Sequence, residues 1–387
     1  MYARVKETSG LKSWRRLGLI GLSGLIGLGG LTSCSSEQPE ELQEPSMTET
    51  AIAFAADEQQ EATVTRAATS LQDKKVYEFK VWGYKNTSYD NSTGYGGLQA
   101  VFPGYTVKYL SNSAATTATN SNGWEYVNQQ PSGEEQTIKY WDWSAKVYRY
   151  YALAGTYTAN ADNTEFTMTA DCSGNTDEAI ATNMANAPFF SHLWFSTGDP
   201  VAYPDKQFGK LVELEFLKPF ARVRFLFKYA YPREGISLGS TKSFKPSDGT
   251  TKIARKGSVT VSYPLTGTAT RESYTISAQT GDGSGELTAL TEDYDPEDDG
   301  KEYPADAPGG WYTVLPVLTQ GSFTLTATVN GQERTAVVPA EYMTWLPGYS
   351  YTYIFKITEE GGVEIGWVEY AVTEWIDLEA DWTVYNW

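Results

Sequence analysis

The sequence predicts an all-β protein built of sandwiches, and three observations carry that prediction. Aromatic residues are abundant, with 27 Tyr, 12 Trp and 15 Phe in 387 residues, and such side chains suit pleated, half-buried surfaces. Apolar and polar residues alternate with a period of two in segment after segment, the mark of a strand with one face in a core. Helical periodicity is weak; residues 177–187, stopped by Pro188, are the best candidate for a short helix. Cys34 and Cys172 are the only cysteines, so no disulfide framework is expected and stability must come from core burial. A chain of this length supports two domains of ordinary size.

Taken in order, Arg4, Lys6, Lys12, Arg15 and Arg16 precede a Gly-diluted apolar stretch from Leu17 to Leu31. That is the layout of a secretory signal peptide, assigned to residues 1–33. As a helix the stretch would reach only about 22 Å, short of the ~30 Å hydrocarbon core, so a spanning helix is the weaker reading. Leu31-Thr32-Ser33-Cys34 resembles the lipobox of bacterial lipoproteins, in which the cysteine thiol receives a diacylglycerol. Residues 34–66, rich in Glu, Gln, Thr and Ala, read as a solvated tether. Ala51-Ile52-Ala53-Phe54-Ala55 is the exception: it could form one short strand if a partner edge is available.

From Lys75 onward, strands are punctuated by turn residues. Tyr77, Phe79 and Val81 alternate with Glu78 and Lys80. The nearly unbroken run Val147 to Leu153 predicts a strand covered on both faces. A domain boundary is expected near Gly209, giving an N-terminal sandwich over 67–209 and a C-terminal one over 210–387. Val212, Leu214 and Phe216 then alternate with Glu213 and Glu215, and Val223, Phe225, Phe227 and Tyr229 share one face of the next strand. Phe323 to Val329 and Tyr349 to Ile357 repeat the pattern. Residues 294–308, acidic and Pro-rich, read as an exposed loop.

The formal charge is −18, and from Cys34 onward it deepens to −22. That balance argues against nucleic acid or an anionic membrane surface as partner, since both attract basic patches. Catalytic chemistry finds little support. The single histidine, His192, has no Gly-x-Ser-x-Gly elbow to serve and reads as structural. One histidine and two cysteines are too few for a histidine- or cysteine-rich zinc site, and no metal or cofactor is expected. Asp293, Asp295, Glu297, Asp298 and Asp299 cluster without the glycine spacing of an EF-hand, so a solvated loop is favoured. Gly281 to Gly285 lacks the lysine of a phosphate loop.

Three segments carry a family resemblance: Tyr140-Trp141-Asp142-Trp143 before the aromatic strand, Phe220-Ala221-Arg222-Val223-Arg224-Phe225, and Trp345-Leu346-Pro347-Gly348-Tyr349. With the lipobox and Arg66, the whole chain resembles the fimbrillin-type pilus subunits of the Bacteroidales, the family of the major and minor fimbriae. Many relatives have a histidine where this chain has Lys218-Pro219. The resemblance implies two tandem transthyretin-like Greek-key sandwiches and a precursor lipidated at Cys34. It further implies clipping between Arg66 and Ala67 by an arginine-specific protease, release of a strand from within Ala51–Val64, and its replacement by a C-terminal strand of the next subunit.

An exposed groove edge is a template for strand addition, and the donor should be an apolar strand with a free end. Residues 363–387 qualify, with Ile376, Leu378, Trp382, Val384 and Trp387 as the donor candidates. An exposed tail of that composition invites aggregation unless another subunit buries it. The 363–375 part also reads as a last strand packed in its own domain. The sequence therefore points to a structural subunit of a surface fimbrium, an outer-membrane lipoprotein as precursor. Its partners would be copies of itself, accessory subunits and a host glycan or protein. The alternatives are an anchor or tip subunit, or a glycan-binding lipoprotein with Trp124, Trp141, Trp143 and Trp194 as stacking platforms.

Overall fold

A computed structural model describes residues 50–58, 77–110, 123–130, 135–171, 188–229, 238–249, 253–278, 293–294, 312–318, 321–357, 368–374 and 384–386. In chain order the first strands are β1 (Phe54–Glu58), β2 (Glu78–Asp90), β3 (Gly94–Tyr109), β4 (Trp124–Glu125) and β5 (Val147–Ala154). β6 (Thr158–Ala159), β7 (Glu165–Asp171), β8 (Phe189–Ser191), β9 (Trp194–Ser196) and β10 (Val212–Leu217) follow. Then come β11 (Ala221–Tyr229), β12 (Leu238–Pro246), β13 (Lys256–Ser262), β14 (Ser273–Ala278), β15 (Asp293–Tyr294) and β16 (Tyr312–Val314). The series closes with β17 (Phe323–Val329), β18 (Gln332–Val338), β19 (Tyr349–Ile357), β20 (Val368–Glu374) and β21 (Val384–Asn386). Among the described residues there is no α-helix, only one 3-10 turn at Ala340–Tyr342. The chain is all-β, as its sequence predicts.

The largest sheet runs β1-β10-β8-β5-β2-β3-β4, with β9 also paired to β5. A four-stranded sheet, β14-β13-β7-β6, packs on one of its faces. The core between them holds Trp82, Tyr151, Leu153, Phe166, Phe190, Val261 and Tyr263. A second core lies on the opposite face of the large sheet, where Phe54, Phe79, Phe102, Trp124, Tyr148, Tyr150 and Phe216 meet Tyr126 and Trp141 from the connecting segments. All eight residues of β5 are buried, odd positions toward one core and even positions toward the other. This is the both-faces strand that its aromatic run predicts.

A six-stranded sheet, β15-β11-β19-β20-β21 with β16 beside β11, and the three-stranded sheet β12-β17-β18 enclose the third core. Val223, Phe244, Leu325, Trp345, Tyr351 and Tyr353 fill it. β17 alternates buried and half-buried positions along its whole length, as its Phe-Thr-Leu-Thr pattern dictates.

Hydrogen bonding does not divide at Gly209. β10, just past it, pairs with β8 and β1, and the β13–β14 hairpin pairs with β7. The N-terminal pair of sheets thus draws strands from both sides of the expected boundary. Alternation identified each strand; which sheet it joins is a nonlocal choice that alternation does not encode.

Candidate functional site

Thr50–Glu58 forms the feature with most functional content. Its residue pattern explains its conformation: Ile52 and Phe54 alternate with small alanines, so one face is apolar and the other can sit close to neighbouring backbone. The segment first runs antiparallel to residues 139–141, bridging Ala51 to Tyr140. Ile52 N–H donates to Lys139 O at 2.8 Å and Trp141 N–H to Thr50 O at 3.0 Å. It then changes partner. Val212 N–H donates to Ala53 O at 2.9 Å, and β1 continues parallel to β10 in the register Phe54↔Val212 through Glu58↔Phe216.

The strand therefore lies in a slot between two edges, and its inward side chains plug that slot. Ile52 and Phe54 are fully buried. The Phe54 ring stands edge-on to Phe102 at 5.0 Å, Tyr150 at 5.7 Å and Tyr126 at 6.0 Å. Gly83 makes this cage possible: a Cβ there would fall 2.6 Å from the Tyr150 ring and 2.8 Å from Phe102. Burial of these two side chains contributes about 3–6 kcal/mol to holding the strand. Tyr126 completes the slot, its phenol donating to Ile52 O at 2.9 Å.

Of the short strand expected at Ala51–Ala55, only Phe54 and Ala55 lie in β1, which runs on to Glu58 beside β10; Ala51 forms an isolated bridge to Tyr140, and Ile52 bonds through its N–H to Lys139 O. Cys34, Val64, Arg66 and Ala67 lie outside the described residues, as do Ile376, Leu378, Trp382 and Trp387 and the short helix expected at 177–187. Arg66 does belong to the segment joining β1 to β2, two strands that are not neighbours in their sheet. Val384 begins β21, which pairs with β20 at Ala371↔Val384, in a different sheet from β1.

Of the four tryptophans read as stacking platforms, Trp124, Trp141 and Trp194 are core residues, and Trp143 alone is 49% exposed. His192 is a cross-sheet tie. Its Nδ1 lies 2.6 Å from Glu272 Oε1, and Glu272 also accepts the Tyr274 hydroxyl at 2.6 Å and Leu193 N–H at 2.8 Å. Burial raises the Glu272 pKa, but hydrogen bonding and charge from His192 outweigh it and hold the carboxyl at about 2. Among the described residues, no three His, Cys, Asp or Glu side chains gather to hold a metal.

Sequence reasoning missed Tyr126, one tyrosine among 27. It also missed Arg149, a charge inside the aromatic run of β5. Arg149 is fully buried, donates to Asn86 Oδ1 and to Gly267 O at 3.2 Å, and lies 4.9 Å from the Phe195 ring. Burial lowers its pKa to about 10.

No protein-family model and no curated protein matches this sequence. Solved structures do. A fimbrial protein from Bacteroides vulgatus is 13% identical, with 84% of this chain and 99% of that one covered and a TM-score of 0.40. A candidate cell adhesion protein from Bacteroides uniformis is 16% identical, with 84% and 98% covered and a TM-score of 0.38. One from Bacteroides ovatus is 13% identical, with 87% and 98% covered and a TM-score of 0.34. The chain is similar to these Bacteroidales adhesion and fimbrial proteins along nearly their full length.

Proposed function

We propose that this protein is a structural subunit of a surface fimbrium, with adhesion as its role and no catalytic activity of its own. In this reading it is exported through residues 1–33, lipidated at Cys34 and cut between Arg66 and Ala67. β1 then leaves its slot and an apolar C-terminal strand of a second copy, drawn from Ile376, Leu378, Trp382, Val384 and Trp387, takes its place.

One observation carries the proposal. Phe54 and Ala55 at the start of β1 are deeply buried, yet the strand is only five residues long and its ladder to β10 is parallel, the slightly weaker pairing. A cut in the segment 59–76 would leave it held by contacts alone. Its departure would expose the edges of Val212 and Lys139 and the pockets of Ile52 and Phe54, a template that only another strand satisfies. The anchor-subunit alternative draws on β21, which pairs with β20 of the same chain; an anchor would keep its C-terminus at home and retain its lipid.

The test is the N-terminus and mass of the protein sheared from cells that express it. The proposal expects Ala67 as first residue, within a high-mass ladder that resists denaturant. Lipidated Cys34 on a monomer would leave the anchor reading and remove the stalk.

A further inference from the structure

We infer that Tyr126 is the positioning residue that holds the main chain of whatever strand fills the slot, independently of that strand's side chains. The hold is needed where backbone pairing changes sides. Ile52 N–H bonds to the 139–141 edge, whereas Ala53 C=O bonds to β10. At this changeover the Ile52 carbonyl is taken by the Tyr126 phenol at 2.9 Å, and the same hydroxyl accepts Lys139 N–H at 3.1 Å. One side-chain oxygen thus links the strand to the slot wall where a regular ladder gives out.

The phenol is positioned from outside the slot. Glu125 Oε1 accepts both Tyr126 N–H and Val127 N–H at 2.8 Å. Gln136 Nε2 donates to Tyr126 O and, at 2.8 Å, to Thr106 O, while Gln136 Oε1 accepts Thr106 N–H at 2.7 Å. These bonds fasten Tyr126 to β3, and none involves β1. The ring packs edge-on against Phe102 at 5.2 Å, and burial raises the phenol's pKa well above its ordinary value. It stays a neutral donor at any physiological pH.

The slot therefore divides its work. The cage of Phe102, Tyr126 and Tyr150 reads one side chain, now Phe54, and favours an aromatic or large apolar residue two positions after an aliphatic one. The hydroxyl reads only a carbonyl, which every strand carries. Its extension to a strand from a second copy rests on the exchange reading; the hold on β1 does not.

The experiment uses the unclipped full chain, so its failure leaves the exchange reading standing, and the failure of that reading leaves it intact. Hydrogen exchange is followed by segment in the parent, Tyr126→Phe, Phe54→Leu and the double variant. Tyr126→Phe keeps the ring and removes both hydrogen bonds of the hydroxyl, to Ile52 O and from Lys139 N–H, so exchange over 50–58 is expected to quicken about tenfold while β5, β7 and β17 keep their rates. The same factor is expected in the Phe54→Leu background, because a main-chain hold is blind to that side chain. Unchanged exchange over 50–58, equal quickening in every strand, or loss of the factor in the double variant would each overturn the inference.

Discussion

Phe54 of β1 is buried as deeply as the residues of β5, but the two strands are differently kept. β5 pairs with β2 over seven residues and with β8 and β9 on its other side, all antiparallel, and it fills cores on both faces. The segment that holds β1 borrows its partners in turn, a single bridge from Ala51 to Tyr140 and then, along β1 itself, five parallel pairs with β10. Burial measures how much a strand is worth to the fold, whereas pairing and covalent connection decide whether it can leave. A strand that plugs an aromatic cage yet hangs from one connection suits temporary occupancy.

The sharpest way to break that comparison is to empty the cage from each side. Tyr150→Ala removes a β5 ring that touches Phe54, Trp141 and Trp194. It is expected to cost about 3–5 kcal/mol, read as a lower denaturant midpoint for the whole domain. Phe54→Ala removes a ring of similar size and is expected to cost a similar amount, but locally. Hydrogen exchange should quicken in 50–58 while the midpoint of the body moves little. A global loss from Phe54→Ala would make β1 as permanent as β5.

Acid is expected to act on the β5 side. His192 and Glu272 tie the β8–β9 turn to the strand that begins at Ser273. The Glu272 carboxyl is held at about 2, below its ordinary 4.5, so the unfolded chain binds more protons in that window. Its stabilisation is present above pH 4.5 and is lost as the pH falls toward 2. The loss amounts to about 3 kcal/mol at full extent. Glu272→Gln is expected to flatten that part of a melting-temperature-versus-pH curve. The smallest effect belongs to Tyr150→Phe. Among the described residues the buried Tyr150 hydroxyl has no hydrogen-bond partner, so its removal is expected to change stability by less than about 0.5 kcal/mol or to raise it, measured by urea unfolding.

The sequence made particular elements legible for local reasons. Alternation located β10, β17 and β19, and the aromatic run marked β5 as covered twice, because side-chain period and burial are properties of one strand. Ile52 and Phe54 were visible as a strand awaiting an edge for the same reason. Partner choice was not visible. Nothing near Val259 or Val261 says that β13 will pair with β7, nearly a hundred residues earlier, and so the boundary near Gly209 does not separate the sheets. Trp124, Trp141 and Trp194 were indistinguishable from Trp143 until packing placed three of them in the core. Tyr126 and Arg149 act through carbonyls and rings contributed by distant segments, and no spacing announces such contacts.

If another strand can take the slot, β1 must leave it once the chain is cut. The most direct measurement is native mass spectrometry of the purified full chain after arginine-specific cleavage, with Arg66→Ala as the uncut control. The body beginning at Ala67 is expected to lose the fragment that carries Ile52 and Phe54 as dimers and longer chains of the body appear. A clipped body that keeps that fragment one-to-one and stays monomeric at high concentration would contradict it.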